Sequence, residues 1–296
     1  MIAWLKSALI RLVTAAVSFS AALIVSLAVL GSPAVAQQTI DTSRIVTLGG
    51  SVTEIVYALG AGARIVGTDQ SSIYPPEATG LPSVGYYRRL PSEGVVSLRP
   101  TVILASEHAG PPDAIAQMKS LGIPVIMVSD KPTLESLQSR IELIAESLQA
   151  QAQGDALMRE LRSSLAAIQT KSAPPLSAMT VVMRGGKLLG AGSDTAANVV
   201  LETAGLKNVL KGKSAYRPLS AEAVSVLAPE VLVVTTSTVE SMGGLDQVKQ
   251  SPVLAMTPAV KHNRVIVLDD LLAQGFGLRF PQAIAHVRDG VLGVAN

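Results

Sequence analysis

The side chains best suited to bind a metal ion lie together in one short segment, residues 84–90 of the 296-residue chain. Two tyrosines, Tyr86 and Tyr87, are followed there by two arginines, Arg88 and Arg89. A free phenol titrates at about 10, but a ferric ion and a neighbouring guanidinium both favour its charged form. Because tyrosinate is an axial ligand of haem iron, the segment predicts a tyrosinate ligand for ferric iron. The alternative is a tyrosine packed on its own lobe beside solvated arginines.

This segment runs into a sequence that is repeated later in the chain. Residues 87–100 and residues 216–229 share Tyr, Arg, Leu, Glu, Val, Leu and Pro in register, at an offset of 129 positions. Each copy leads into a strand-like apolar run. The repeat predicts two related lobes that present shared residues on matching surfaces. The residues paired in this way include Tyr87 with Tyr216 and Glu93 with Glu222.

Composition excludes several other kinds of chemistry. The absence of cysteine rules out disulfides, thiolate metal sites and a cysteine nucleophile. With 24 basic and 22 acidic residues, and only three Phe, one Trp and five Tyr, the chain offers neither a basic field nor stacking platforms for nucleic acid. The sequence motifs of serine hydrolases, zinc proteases, phosphate loops and dinucleotide sites are missing. We therefore expect no enzymatic activity and no nucleic-acid partner.

An α/β fold with two lobes is needed to position the candidate residues. Short β-branched runs alternate with helical patterns, which is typical of parallel βαβ units. The predicted strands are Ile45–Leu48, Ile65–Thr68, Val102–Ala105, Val125–Val128, Thr180–Met183, Val231–Thr235 and Val265–Leu268. Between the fourth and fifth strands, apolar residues recur at helical spacing from Leu134 to Ile168. The expected architecture is two Rossmann-like lobes joined by a helical connector, with a ligand cleft between the lobes.

The predicted organisation begins with a secretory signal peptide. Basic residues precede an apolar run, and Ala34-Val35-Ala36 supplies a cleavage site, so the mature chain is expected to start near Gln37 and to be soluble in a bacterial periplasm. An uncleaved membrane anchor is the alternative. The predicted boundaries are 1–36 for the signal peptide, 37–131 for the N-terminal lobe, 132–175 for the helical connector and 176–296 for the C-terminal lobe.

From about Arg44 to its C-terminus, the sequence resembles the periplasmic haem-binding proteins of bacterial ABC haem-uptake systems, within the helix-linked class of substrate-binding proteins. Three motifs carry the resemblance: residues 44–54, Gly85-Tyr86-Tyr87-Arg88 and residues 216–222. The first is shared by the wider class, and its residues 51–54 are expected to form a capping box that opens a helix. The Gly-Tyr-x-Arg motif marks the haem group.

The resemblance implies roles for individual residues. Tyr86 is expected to be the axial iron ligand, with Arg88 hydrogen-bonded to its oxygen because residues two apart in an extended chain share a face. Tyr87 is the alternative ligand. Arg279 is expected to bind a haem propionate, and no histidine lies where some family members supply a second ligand, so five-coordinate iron is expected. Further candidates are Tyr216 as a wall of the haem site and Arg217, Arg184 and Lys187 as weaker propionate partners.

The resemblance also implies partners. Glu93 and Glu222 are expected to dock onto arginines of an inner-membrane ABC permease, where two like charges on separate lobes would set orientation. The alternative for both is an exposed glutamate favoured by the helix dipole. The expected function is that of a monomeric carrier, which takes ferric haem indirectly from an outer-membrane receptor and delivers it to the permease and its ATPase. Alternatives are a cobalamin- or ferric-siderophore-binding protein of the same class and, from a different class of protein, an exported enzyme.

Overall fold

The computed structural model describes residues 40–169 and 175–293. The predicted signal peptide and its cleavage site lie outside the described residues. In the part of the chain that is described, no helix combines the length and the apolar character needed to cross a membrane.

Four parallel strands form the sheet of the N-terminal lobe, in the order β2-β1-β3-β4. They are β1 (Ile45–Leu48), β2 (Ile65–Gly67), β3 (Val102–Ser106) and β4 (Val125–Val128). The helices of this lobe are α1 (Gly50–Ala58), α2 (Ser92–Ser97) and α3 (Pro112–Ser120), with 3-10 turns at Gly62–Arg64, Pro76–Gly80 and Tyr87–Arg89. Every residue of β1 and β3 is buried, as expected of a parallel sheet that is covered on both faces.

Two long helices, α4 (Leu134–Ser147) and α5 (Gln151–Gln169), follow the first sheet and pack against each other. The hydroxyl of Thr133 accepts a hydrogen bond from the backbone N–H of Ser136 and so caps the start of α4. The apolar stripe of α4, which includes Leu137, Ile141 and Ile144, is fully buried. These two helices are the connector that the helical spacing predicts.

The C-terminal lobe contains a mixed six-stranded sheet in which β10-β9-β5-β6-β8 are neighbours and β7 pairs with β5. Its strands are β5 (Ser177–Arg184), β6 (Lys187–Ala191), β7 (Lys207–Asn208), β8 (Tyr216–Pro218), β9 (Val231–Thr235) and β10 (Val265–Leu268). Its helices are α6 (Ala196–Thr203), α7 (Ala221–Leu227), α8 (Thr236–Ser241), α9 (Leu245–Gln250), α10 (Pro258–Lys261), α11 (Asp270–Gln274) and α12 (Phe280–Leu292). Strands β10, β9 and β5 run parallel to one another side by side, with β10 at one edge of the sheet.

One apolar core runs without interruption through both lobes and the connector. It joins Ile45 of the first sheet, Ile141 of α4, Leu161 of α5, Val233 of β9 and Ile284 of α12. Because α12 packs against both α5 and α6, the end of the chain is part of the same core. A shared core of this kind favours a fixed angle between the lobes.

The two-lobe α/β fold class is confirmed, and all seven predicted strands are present, with ends that differ by at most three residues. The lobe boundaries near residues 131 and 175 stay predictions. The sequence patterns missed the short strands β6, β7 and β8. The predicted capping box is wrong, because α1 begins after Gly49, and Ser51 and Glu54 instead bind arginines from other elements.

Candidate functional site

The tyrosine segment lies at the carboxyl edge of the first sheet. The backbone N–H of Val84 donates to the carbonyl of Thr68, 2.8 Å away, just after β2. The N–H of Gly110, in the loop after β3, donates to the carbonyl of Tyr87 at 2.9 Å. Gly85 has a φ of 88°, in the region that favours glycine. These bonds fix Tyr86 and Tyr87 where α/β folds bind ligands.

The two tyrosines differ sharply in exposure. Tyr86 is 42% exposed to solvent, whereas Tyr87 is only 8% exposed. Their rings meet edge to face, with centroids 5.2 Å apart and an interplanar angle of 73°. Tyr86 therefore lies at the surface, and its ring packs against the buried ring of Tyr87.

Arg88 binds Tyr87 in this structure, and not Tyr86 as expected. Its Nε donates to the Tyr87 hydroxyl at 3.1 Å, and its guanidinium carbon lies 5.1 Å from the centroid of that ring. The physical reason is local: residues 87–89 form a 3-10 turn, so the extended-chain rule that places residues two apart on one face does not apply. Burial raises the pKa of Tyr87 to about 12, although the charge of Arg88 opposes the shift.

The C-terminal lobe presents a second tyrosine–arginine pair. The guanidinium carbon of Arg184, the last residue of β5, lies 4.4 Å from the centroid of the Tyr216 ring, and its Nη2 donates to Gln274 Oε1 at 2.6 Å. Burial raises the pKa of Tyr216, while the charges of Arg184 and Arg88 oppose the shift. Because Arg88 belongs to the other lobe, its charge acts on Tyr216 across the two lobes.

Arg217 lies next to Tyr216 in β8 and is exposed. Its Nη2 donates to the Ser214 hydroxyl at 3.3 Å. Successive side chains of a strand point to opposite faces, so Arg217 leaves the strand on the face opposite Tyr216. The structure therefore brings Tyr86, Arg88 and Tyr216 to one region and directs Arg217 away from it.

Arg279 lies in a different cluster, beside α1. Its Nε donates to Glu54 Oε1 at 3.2 Å, and its guanidinium carbon lies 3.7 Å from the centroid of the Tyr74 ring. Burial raises the pKa of Glu54, and the charge of Arg279 opposes the shift. Arg279 borders a cavity of about 630 Å³, whose lining includes Tyr57 and Leu161 but none of residues 84–90. The propionate role expected of Arg279 stays a prediction, while its charge already has a partner.

Sequence reasoning missed the most deeply buried arginine of the site region, Arg140 on α4. Its Nη1 donates to the Ser51 hydroxyl at 3.0 Å and to the Phe276 carbonyl at 2.9 Å. Its Nε donates to the Ser129 carbonyl at 2.7 Å, and its Nη2 lies 3.3 Å from Asp130 Oδ1. The sequence did carry a signal, because Arg140 falls on the buried apolar stripe of α4, where an isolated charge needs a partner.

The repeated glutamates occupy matching positions. Glu93 and Glu222 are both exposed and lie in the first turns of α2 and α7. Each follows the tyrosine of its own repeat copy by six positions along the chain. The Ser220 hydroxyl caps α7 by accepting a hydrogen bond from the Ala223 N–H, and hydrogen bonds from the helix start and Ser220 lower the pKa of Glu222. A role in docking stays a prediction.

Two α/β lobes, a helical connector and a tyrosine–arginine pair in each lobe are the arrangement of a two-lobe ligand-binding protein. The chain belongs to the periplasmic binding protein family, whose model matches residues 45–272.

Solved structures and curated proteins are similar over most of the chain. A periplasmic haem-binding protein from Roseiflexus sp. RS-1, RhuT, is 36% identical and aligns with 86% of this chain and 100% of its own, with a TM-score of 0.81. The periplasmic haem-binding protein BhuT in complex with two haems is 34% identical, over 85% of this chain and 98% of its own, with a TM-score of 0.79. A vitamin B12-binding protein of Photorhabdus laumondii is 29% identical over 70% of this chain and 73% of its own.

Proposed function

We propose that this chain is a periplasmic carrier that binds ferric haem between its lobes and delivers it to an ABC importer of the inner membrane. The observation that carries the proposal is the exposed phenol of Tyr86, whose ring packs on Tyr87, while Tyr87 in turn binds Arg88. Arg88 forms no ion pair with a carboxylate among the described residues. Similarity to haem-binding proteins of solved structure supports the choice of ligand.

Tyr86, rather than Tyr87, is the proposed iron ligand. The iron of a planar porphyrin can reach a phenol only where the oxygen is accessible, and Tyr86 is five times as exposed as Tyr87 (42% against 8%). The Tyr87 hydroxyl is already occupied by Arg88, and its pKa of about 12 makes its phenolate costly at neutral pH. Tyr87 is therefore assigned to support Tyr86 and not to bind iron.

Arg88 is proposed to stabilise the Tyr86 phenolate by its charge. Burial lowers the pKa of Arg88, but Tyr87 and Tyr86 raise it, and the net shift is upward. Only the Nε of Arg88 is used by Tyr87, which leaves its two amino groups available. Tyr216 from the opposite lobe is proposed to line the other side of the haem.

An absorbance titration of the mature protein with ferric haem tests this proposal. Wild type is expected to show a saturable spectrum typical of five-coordinate tyrosinate-bound ferric haem. Tyr86→Phe, which removes only the ligating oxygen, is expected to lose that spectrum, whereas the matched variant Tyr87→Phe is expected to keep it. Loss in Tyr87→Phe alone would overturn the choice of ligand. A wild-type protein without any saturable change would overturn the haem proposal itself.

Cobalamin is the second candidate ligand, because vitamin B12-binding proteins are among the relatives of this chain. It does not require an exposed tyrosine, so binding of cyanocobalamin that Tyr86→Phe leaves unchanged would favour it. Ferric siderophores would be tested in the same way. In each case we propose binding and transport without turnover, since the relatives with named ligands are binding proteins.

The localisation and the partners are also proposed. We infer that export removes residues 1–36 and leaves a soluble periplasmic monomer, which mass spectrometry and size-exclusion chromatography of the exported protein would test. The inner-membrane permease and its ATPase are the proposed recipients, docked through Glu93 and Glu222, and an outer-membrane receptor is the proposed indirect source of haem. A relative from Bacillus subtilis is described as an ABC transporter substrate-binding lipoprotein.

A further inference from the structure

The cavity of about 630 Å³ beside α1 lies apart from the tyrosine segment. Its walls come from α1, the loop around the 3-10 turn Pro76–Gly80, the middle of α5 and the residues that lead into α12. Small-molecule sites have volumes of about 300–1,000 Å³, so the cavity is large enough for a ligand. None of the described lining residues belongs to residues 84–90 or to β8. A ligand held there is therefore separate from the place proposed for haem.

Much of the lining of this cavity is apolar. Tyr57 of α1 and Tyr74 of the loop supply two aromatic side chains. The Tyr57 ring is fixed in position because it packs on Gly62, where a Cβ would overlap the ring. The remaining apolar lining residues are Pro75, Leu157, Leu161, Leu278 and Pro281. Such a lining favours a ligand with a hydrocarbon body, and aromatic rings also attract organic cations.

The charges around the cavity favour a cation. Three glutamates line it, Glu54, Glu77 and Glu160, and Arg279 is the one basic residue of the described lining. The charge of Arg279 is already engaged, because its Nε donates to Glu54 Oε1 at 3.2 Å and its guanidinium carbon lies 3.7 Å from the centroid of the Tyr74 ring. Glu77 and Glu160 are exposed and form no ion pair among the described residues. Two unpaired carboxylates from different walls give the cavity a negative potential.

The buried glutamate of the cavity lacks a hydrogen-bond donor. The Glu54 side chain is only 4% exposed, and its Oε2 has no hydrogen-bond partner among the described residues. A buried acceptor without a partner is unfavourable, so an N–H group from a ligand would improve this wall. Burial and the negative charge of Glu77 both raise the pKa of Tyr57, which shows that the rim carboxylate acts on the aromatic wall.

We propose that this cavity is a second ligand site, which binds a small organic cation, a protonated amine carried on an aromatic or aliphatic body. The body packs against Tyr57 and the leucines of the lining, and the amine is attracted by Glu77 and Glu160. The charge preference is opposite to that of a site for the negative propionates of haem. The inference goes beyond the proposed function and does not depend on it.

The test uses three probes that share a phenyl ring and differ in charge: phenethylamine, 2-phenylethanol and 3-phenylpropionate. Each is titrated into the haem-free mature protein and followed by saturation-transfer NMR. Wild type is expected to bind the amine saturably and about fivefold more tightly than the alcohol, since exposed ion pairs contribute little individually, and to bind the acid most weakly. Glu77→Gln/Glu160→Gln is expected to remove this preference and to leave alcohol binding within about twofold of wild type. The matched control is Glu135→Gln/Glu240→Gln, which changes the net charge equally at two exposed residues of α4 and α8 outside the lining.

Two further variants locate the bound amine. Ser164→Trp, on the α5 wall, fills the cavity without changing a charge and is expected to abolish binding of amine and alcohol, with folding checked by circular dichroism. Tyr86→Phe is expected to leave amine binding unchanged. Amine binding that survives in a folded Ser164→Trp protein, or that Tyr86→Phe abolishes, would place the amine elsewhere and overturn the inference.

The remaining outcomes also decide the inference. It is overturned if wild type shows no saturable binding of the amine, if amine and alcohol bind equally, or if the control double variant weakens amine binding as much as Glu77→Gln/Glu160→Gln. The haem titration is a separate measurement on the same proteins. A tyrosinate spectrum without amine binding would leave the proposed function standing, and amine binding without that spectrum would leave this inference standing.

Discussion

Arg140 is the residue whose removal should most reveal how the lobes are held together. Its side chain is fully buried, and it binds Ser51 at the start of α1 on one side and the Phe276 carbonyl, just before α12, on the other. We predict that Arg140→Met, which keeps an unbranched side chain but removes the charge and all donors, strongly destabilises the protein.

The magnitude follows from the groups left behind. Breaking a buried ion pair from one side costs about 3–5 kcal/mol, because the other charge stays without compensation. Here 21% of the Asp130 side chain is exposed, so water reduces the free-energy cost of leaving this carboxylate without its partner. The carbonyls of Ser129 and Phe276 also lose their donor, and a buried acceptor without a partner costs about 1–3 kcal/mol. Together these contributions lead us to expect a loss of about 3–5 kcal/mol in the free energy of unfolding.

Urea unfolding followed by circular dichroism measures this loss. The matched control is Arg162→Met on α5, where an exposed arginine donates one hydrogen bond to Gln138 at 2.7 Å. Removing that bond should cost less than about 1 kcal/mol. If Arg140→Met lost no more stability than the control, the buried network would not bear on the stability of the fold, and our account of the connection between the lobes would be wrong.

Three further predictions test other parts of the structure. Gly192→Ala should lower the free energy of unfolding by about 1–3 kcal/mol, since its Cβ would lie 1.9 Å from the Lys213 carbonyl oxygen; a thermal melt at wild-type temperature would contradict this. Burial raises the pKa of Tyr87 to about 12, so the folded protein holds the phenol proton more tightly than the unfolded chain, where the pKa is about 10. The stability that this difference contributes is complete below pH 10 and is lost as the pH rises to 12. Tyr87→Phe should therefore show a smaller loss of stability than wild type when urea unfolding at pH 9 and 11.5 is compared, and an equal loss would refute the assignment. Replacing Glu93 and Glu222 together with Gln should slow haem transfer to the permease and ATPase in nanodiscs while leaving the melting temperature unchanged; unaltered transfer would rule out their docking role.

Strands β1, β3 and β9 could be predicted because their β-branched runs are buried on both faces, so the apolar pattern is continuous. The hairpin strand β6 could not, because Gly190 within it resembles a turn residue. Its backbone is nevertheless part of a strand, and a Cβ there would lie 2.4 Å from Leu210 and 2.9 Å from Leu219. Glycine at this position permits close packing, and a sequence pattern does not distinguish that use from a turn.

The sequence predicted which residues belong to the candidate site, but not which of them contact one another. The two tyrosines and their arginine were found from local sequence, yet the partner of Arg88 depends on a 3-10 turn of three residues. The partners of Glu54 and Arg140 lie 225 and 136 positions away along the chain, at Arg279 and Phe276. Contacts of that separation are created by the packing of the lobes, so local propensities carry no information about them.

The two long-range arginine contacts limit how far the lobes move when a ligand binds. Arg140 and Arg279 both join the segment before α12 to α1, and the shared core runs through the same elements. Lobes held in this way need little rearrangement when a ligand enters, so selectivity must come from groups already in place. Tyr216 stacked beneath Arg184, and Tyr87 bonded to Arg88, are such groups. Because Glu93 and Glu222 each follow one of these tyrosines by six residues, a partner that docks on both glutamates acts on the two short segments that also carry the proposed ligand contacts. The proposed docking would therefore be coupled to ligand release through α2 and α7.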